Sequence, residues 1–269
     1  MATSHSLATI GTDANLGTLL RTWKPKLAQI LGETDEAAGR FLAVVDACVR
    51  RNPDLKNCTV DSFRSAIEDA AALKLMPTGI MNLGWIIPFG KQATFIAGYR
   101  GLLDIAYRSG KVAGYEIGLV HKNDGWEYER GLETILRHQP HFNGVFTYEN
   151  RSDLMHAYAI WWDVINGRKV AQRHLVLDHA ELERLRKMSK KSDSGPWRDH
   201  YQAMIEKTMV RASTKLMPLT PEQDVLLARA FANEDSVMGI DAKPDDIEVK
   251  PEAPPEEGRA AMFDHEEAS

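Results

Sequence analysis

The chain has 269 residues, 43% of them hydrophobic and 26% charged, and a formal net charge of -5. Its length suits one large domain or two small ones, and no apolar run approaches the roughly 18 residues that cross a bilayer. The opening MATSHSLATIGTDANLGTLL has no basic start followed by an apolar block, and Cys48 and Cys58 form neither a CxxC pair nor a zinc spacing. A cytoplasmic protein with reduced thiols and no membrane partner is expected.

In chain order, residues 1–33 read as an N-terminal arm. Thr34 to Arg51 has helical spacing, with Phe41, Val44, Val45, Cys48 and Val49 on one side and a cap at Thr34 or Asp35. Thr59 caps a second helix through Phe63, Ile67, Ala70, Ala71 and Leu73, which the breaker Met76-Pro77-Thr78-Gly79 stops. WIIPF and ATFIA, separated by Gly90-Lys91-Gln92, predict a hairpin. GYRG, Gly98 to Gly101, then opens a short helix, LLDIAYRS, that ends at Gly110.

GYEIGLVH, WEYER, ILRH and VFTYEN are short candidate strands. LMHAYAIWWDVI and RKVAQRHLVL flank Asn166-Gly167, which supplies the positive φ of a two-residue hairpin turn. Alternation sets Tyr158, Ile160 and Trp162 on one face and Ala157, Ala159 and Trp161 on the other. Asp178 and Glu181 form a capping box for ELERLRKMS. GPWRDHYQAMIEKTMVRASTKLMP, with Pro196 in its first turn, predicts one helix to near Pro218, and another passes through Asp224, Val225, Leu227 and Phe231. The fold class is α+β: a central antiparallel sheet with hairpins, flanked by helices. A core over 34–232 is followed by an acidic tail, 233–269, expected to be disordered.

Charge is uneven. From Glu234 to Ser269 there are 12 acidic and 3 basic residues, which leaves the remainder with 30 basic against 26 acidic. Within that mildly basic body, Lys207, Arg211 and Lys215 recur every four residues beside a core line of Trp197, Tyr201, Met204 or Ile205, Thr208, Ala212 and Leu216. Between Arg184 and Lys215 there are nine basic residues against three acidic ones, with Trp197 and Tyr201 interleaved. Cations beside aromatic planes are how proteins hold single strands without reading their sequence. GYRG adds Arg100 and a helix start, a place where backbone amides meet anions.

Enzymatic readings are weaker. Gly84 to Gln92, GWIIPFGKQ, fails as a phosphate-binding loop: five residues separate its glycines, Pro88 removes an amide, and Gln92 stands where Ser or Thr would be needed. His121, Asp124, Glu127, Glu129, His138 and His141 gather the residue types of a metal-dependent nuclease, but in no ligand spacing on one element.

RRNPDLKNCTVDSF, KLMPTGIMNLGWIIPF, FIAGYRGLLDIAYRSG, HKNDGWEYERG and GPWRDHYQAMIEKTMVRASTKLMPL, taken in that order from about Phe41 to Pro221, resemble the RecT family of phage and prophage recombination proteins. The resemblance implies a non-enzymatic protein that binds single-stranded DNA and anneals it to a complementary strand, as rings or helical filaments, without ATP. No cofactor is implied, magnesium entering only as an influence on annealing. The partners implied are single-stranded DNA, the annealed duplex intermediate, further copies of the chain, a phage 5′ to 3′ exonuclease and a host single-strand binding protein. The last helix is less basic than the family pattern, with Glu206 and Ala212, which implies either weaker phosphate contact there or its shift to Lys190, Lys191 and Arg198. The expected DNA contacts are therefore Arg100, Lys190, Lys191, Arg198, Lys207, Arg211 and Lys215 for phosphates, with Tyr99 and Trp197 for bases or sugars. The alternatives are a nucleic-acid-binding module that does not anneal and a nuclease using the His121 to His141 cluster.

Overall fold

A computed structural model of the chain describes residues 8–131, 133–141, 151–189 and 192–238. The predicted strand VFTYEN, Lys190 and Lys191, and the tail from residue 239 onward lie outside the described residues. No helix among the described residues is long and apolar enough to cross a membrane.

The fold is α+β. Helix α1 (Asp13–Leu31) falls in the stretch expected as an arm. The Thr12 hydroxyl accepts the Asn15 amide at its start, Gly32 closes it at φ 65°, and Leu16, Leu20, Leu27 and Leu31 are its buried line. Helices α2 (Asp35–Arg51) and α3 (Val60–Ala72) begin after Thr34 and Thr59, whose side chains each accept an amide of the first turn. They pack with α1 and with the hairpin β1 (Gly84–Phe89) and β2 (Gln92–Ala97) into the larger core, centred on Phe41, Phe63 and Phe95. The stretch with the loop-like glycines is thus a strand, a two-residue turn and a strand.

Helix α4 (Tyr99–Tyr107) starts one residue after Gly98. A Cβ on Gly98 would stand 2.0 Å from the Asn82 carbonyl oxygen, and one on Gly101 would stand 2.2 Å from that of Leu83. Both glycines of GYRG therefore admit the 82–83 backbone against the helix start, and protein carbonyls occupy the space over them.

The second part of the fold is a three-stranded antiparallel sheet in the order β3 (Val112–His121), β6 (Leu154–Ile165), β7 (Arg168–Asp178). Asn166 (φ 51°) and Gly167 (φ 75°) make the tight turn between β6 and β7. Ala157, Ala159 and Trp161 of β6 are buried, the two alanines beneath α7 (Tyr201–Thr214). The opposite face carries His156, Tyr158 and His174, and the hairpin β4 (Gly125–Glu129) and β5 (Ile135–Gln139) covers it. Trp126 stacks on His156 at 5.3 Å and on Tyr158 at 5.6 Å. Gly118, paired with Tyr158, leaves room for that ring. Layers run helix, sheet, hairpin.

Asp178 caps α5 (His179–Lys187) by accepting the Glu181 amide at 2.8 Å, while the Glu181 side chain pairs with Arg184 instead of completing the box. The long helix expected after Gly195 is broken. A single turn, α6 (Pro196–Asp199), is separated from α7 by His200 at φ -140°, ψ 49°. The buried residues of α7 are Tyr201, Ile205, Met209 and Ser213, spaced by four, with Val210 and Thr214 beside them. The expected line drifts off this face, so Thr208 and Ala212 are only partly buried and Leu216 is exposed. Helix α8 (Pro221–Met238) continues past Asn233, so Glu234 and Asp235 belong to a helix.

Candidate nucleic-acid interface

A cleft of about 1240 Å³ opens between the outer edge of β7, the ends of β4 and β5, and α5 and α7. Six consecutive β7 residues, Gln172 to Leu177, line it. Alternate residues of a strand point to opposite faces, so a continuous run places the strand's edge along the cleft. That edge has no strand partner among the described residues. Arg130, Arg173 and Lys215 bring positive charge; Tyr128, Leu136, Leu175, Leu177 and Leu216 bring apolar surface. Glu181 is the one acidic residue among the described lining residues and already binds Arg184 at 2.7 Å. Arg173 is held by Asp163 at 2.8 Å, whereas Arg130 and Lys215 have no ion-pair partner among the described residues. Burial, then the Arg130 charge, holds the His174 imidazole below its ordinary pKa.

The basic run from Arg184 to Lys215 is largely paired within the protein. Arg184 binds Glu181, Arg198 binds Asp199, and the buried Arg186 binds Glu183 and Asp193. Lys207 reaches Glu234 at 2.5 Å, and Arg211 reaches both Glu234 and Asp235. Of the stripe, Lys215 alone lines the cleft; its ammonium lies 5.7 Å from the Phe231 ring centre. Partial burial and then the Arg211 charge lower the Lys215 pKa. Trp197 is 5% exposed, set edge-on to Tyr201 within the second core, so its ring faces no solvent. Tyr99 packs against the larger core, while Arg100 beside it is exposed with no ion-pair partner among the described residues. Sequence reasoning missed Arg130 and Arg173. They reach the cleft through strand pairing, and the one available signal was a basic residue closing each of the runs WEYER and VAQR.

The His121 to His141 cluster is a structural lock. Asp124 accepts the His121 and His141 amides at 2.7 Å each, and its carboxylate contacts His138 Nε2 at 3.0 Å. His138 Nδ1 meets the Tyr158 hydroxyl at 3.1 Å, which ties the β4–β5 hairpin to the sheet. Glu127 binds Arg137 across the hairpin. Among the described residues no three His, Cys, Asp or Glu side chains are grouped to hold a metal ion. Burial alone would raise the Asp124 carboxyl, but the two amides and His138 outweigh it and hold the pKa down at about 2, from 3.8. A depressed carboxyl stabilises the fold above its unfolded pKa and loses that contribution as pH falls through the folded value. Asp124 is thus expected to contribute about 2 kcal/mol near neutrality, lost between about pH 4 and pH 2. Urea unfolding of the wild type and of Asp124→Asn across this range checks it: the variant should lack this part of the acid dependence.

The model of the RecT family matches residues 39–250. Protein RecT of Escherichia coli (strain K12) is 31% identical over 193 residues, which cover 69% of this chain and 68% of that protein. The uncharacterized protein YqaK of Bacillus subtilis (strain 168) is 26% identical over 230 residues, 81% of this chain and 75% of that one.

Proposed function

The chain belongs to the RecT family of recombination proteins of the single-strand annealing type, and from that premise we propose that it holds single-stranded DNA in the β7 cleft and anneals it to a complementary strand without ATP. The observation that carries this reading is an open cleft along a strand edge with two cations, Arg130 and Lys215, that have no ion-pair partner among the described residues. A cationic, partly apolar groove grips the sugar-phosphate backbone regardless of sequence. A strand held by its backbone keeps base edges free, so a second strand tests complementarity by Watson-Crick pairing. No proton has to be moved by a side chain in such a reaction, and no nucleotide has to be cleaved.

Annealing also requires two strands to be close. An assembly of many copies, as a ring or filament, supplies that as local concentration. Arg100, exposed at the start of α4, is a further phosphate contact in this reading, and so are Lys190, Lys191 and Arg198, which follow α5 in the sequence. A 5′ to 3′ exonuclease that exposes the strand, and a host single-strand binding protein that coats it, are the partners the reaction calls for.

Pairing of two labelled complementary oligonucleotides, followed without nucleotide and with either magnesium or a chelator, tests the proposal. Accelerated pairing in both conditions is expected. Cleavage of the strands that depends on magnesium would favour a nuclease, and strand binding without faster pairing a simple binding module.

A further inference from the structure

The basic stripe of α7 is arranged like a phosphate track and is closed by the protein itself. Lys207, Arg211 and Lys215 advance about 6 Å per step along the helix. Glu234 bridges the first two, contacting Lys207 at 2.5 Å and Arg211 at 3.1 Å, and both oxygens of Asp235 meet one Arg211 nitrogen at 2.6 and 2.7 Å. The side chains of Lys207 and Arg211 are only 18% and 19% exposed beneath this cover. We propose that Lys207 and Arg211 are a latent phosphate-binding site continuous with Lys215, and that Glu234 and Asp235 occupy it as phosphate mimics until a DNA strand displaces them.

The proposal rests on the DNA-binding reading above and adds its regulation. Carboxylates and phosphates offer a guanidinium the same kind of charged oxygen partners, so exchanging one for the other leaves the cations paired. What such an exchange costs depends on how firmly the end of α8 is held. Among its described side chains Leu227 and Ala230 are the last buried apolar ones, and Asn233 makes the last contact with α3, through Asp69. Among the described side chains beyond Asn233, Glu234 and Asp235 meet α7 through ion pairs. The two acids also sit near the C-terminal end of α8, where the helix dipole disfavours negative charge, and the last turn has no basic residue to offset them. The final turn is therefore the easiest part of the helix to unwind, while Phe231, under Arg211 at 4.7 Å, stays on the anchored side.

The test compares the full-length wild type with a Glu234→Gln, Asp235→Asn double variant on an oligothymidine strand over a series of salt concentrations. The variant is expected to bind on the order of tenfold tighter at low salt, because its cations no longer have to exchange partners. In the wild type, hydrogen exchange of the 234–238 amides should become faster when the strand binds. That second readout needs no substitution and so survives a variant that does not fold. Unchanged or weaker binding by a folded variant, or 234–238 amides that slow or do not respond on DNA binding, overturns the latch. If the wild type still anneals, the functional proposal stands without it; a wild type that binds no strand overturns both.

Discussion

Replacing Trp197 with alanine is expected to lower the unfolding free energy by about 3–5 kcal/mol, the range for truncating a large buried aromatic. Its indole belongs to the buried cluster that includes Leu154, Ala157, Leu182 and Ile205, and its centre lies 5.9 Å from that of the Tyr201 ring. Tyr201 is in turn fixed through its hydroxyl to Glu183 at 2.8 Å, and Glu183 to Arg186. The cavity would open where α6 and α7 seat on the sheet, so collapse around it would disturb that whole junction. Urea unfolding of Trp197→Ala and Trp197→Phe measures the effect, the phenylalanine variant recovering most of the stability. A Trp197→Ala protein of unchanged stability with weakened strand binding would instead place the indole against DNA.

Removing Arg130 and Lys215 from the cleft is expected to have the largest effect on binding. A charged hydrogen bond to a phosphate contributes roughly tenfold in affinity, so Arg130→Ala with Lys215→Ala should weaken single-strand binding by about a hundredfold. Each phosphate left without its cation also lowers the slope of log K against log salt by roughly 0.7 on single strands, about 1.4 for the pair. Stability should hardly change, since neither side chain has a carboxylate partner among the described residues and both are exposed at the cleft. Salt titrations by fluorescence anisotropy check both numbers. A double variant with wild-type affinity and slope would remove the cleft from the DNA path.

The local grammar of the chain is readable wherever one short signal decides the backbone. Thr34, Thr59 and Asp178 start the helices their capping chemistry predicts, and Asn166-Gly167 turns the hairpin. Helix α1 escapes such a reading because Gly17 and Pro25 interrupt its leucine line, although Thr12 and Gly32 bracket it. The end of α8 merges with the acidic tail because composition cannot separate a helix rich in acids from a tail rich in them. The positive stripe of α7 is legible as spacing, but its partners lie 23 to 27 residues further along the chain. Only the packing of α8 shows that the charge is already neutralised. Arg130 and Lys215 line one cleft from the end of β4 and the end of α7, and no window of sequence brings them together.

The annealing claim is tested most directly by the order in which DNA is supplied. Adding two complementary strands one after the other should yield a protein-bound paired product that resists competitor DNA, whereas the same duplex formed beforehand should bind weakly. This difference follows if each strand enters the cleft singly by its backbone and pairing occurs on the assembled protein. Equal retention of the two products, with pairing no faster than in buffer alone, would contradict the account.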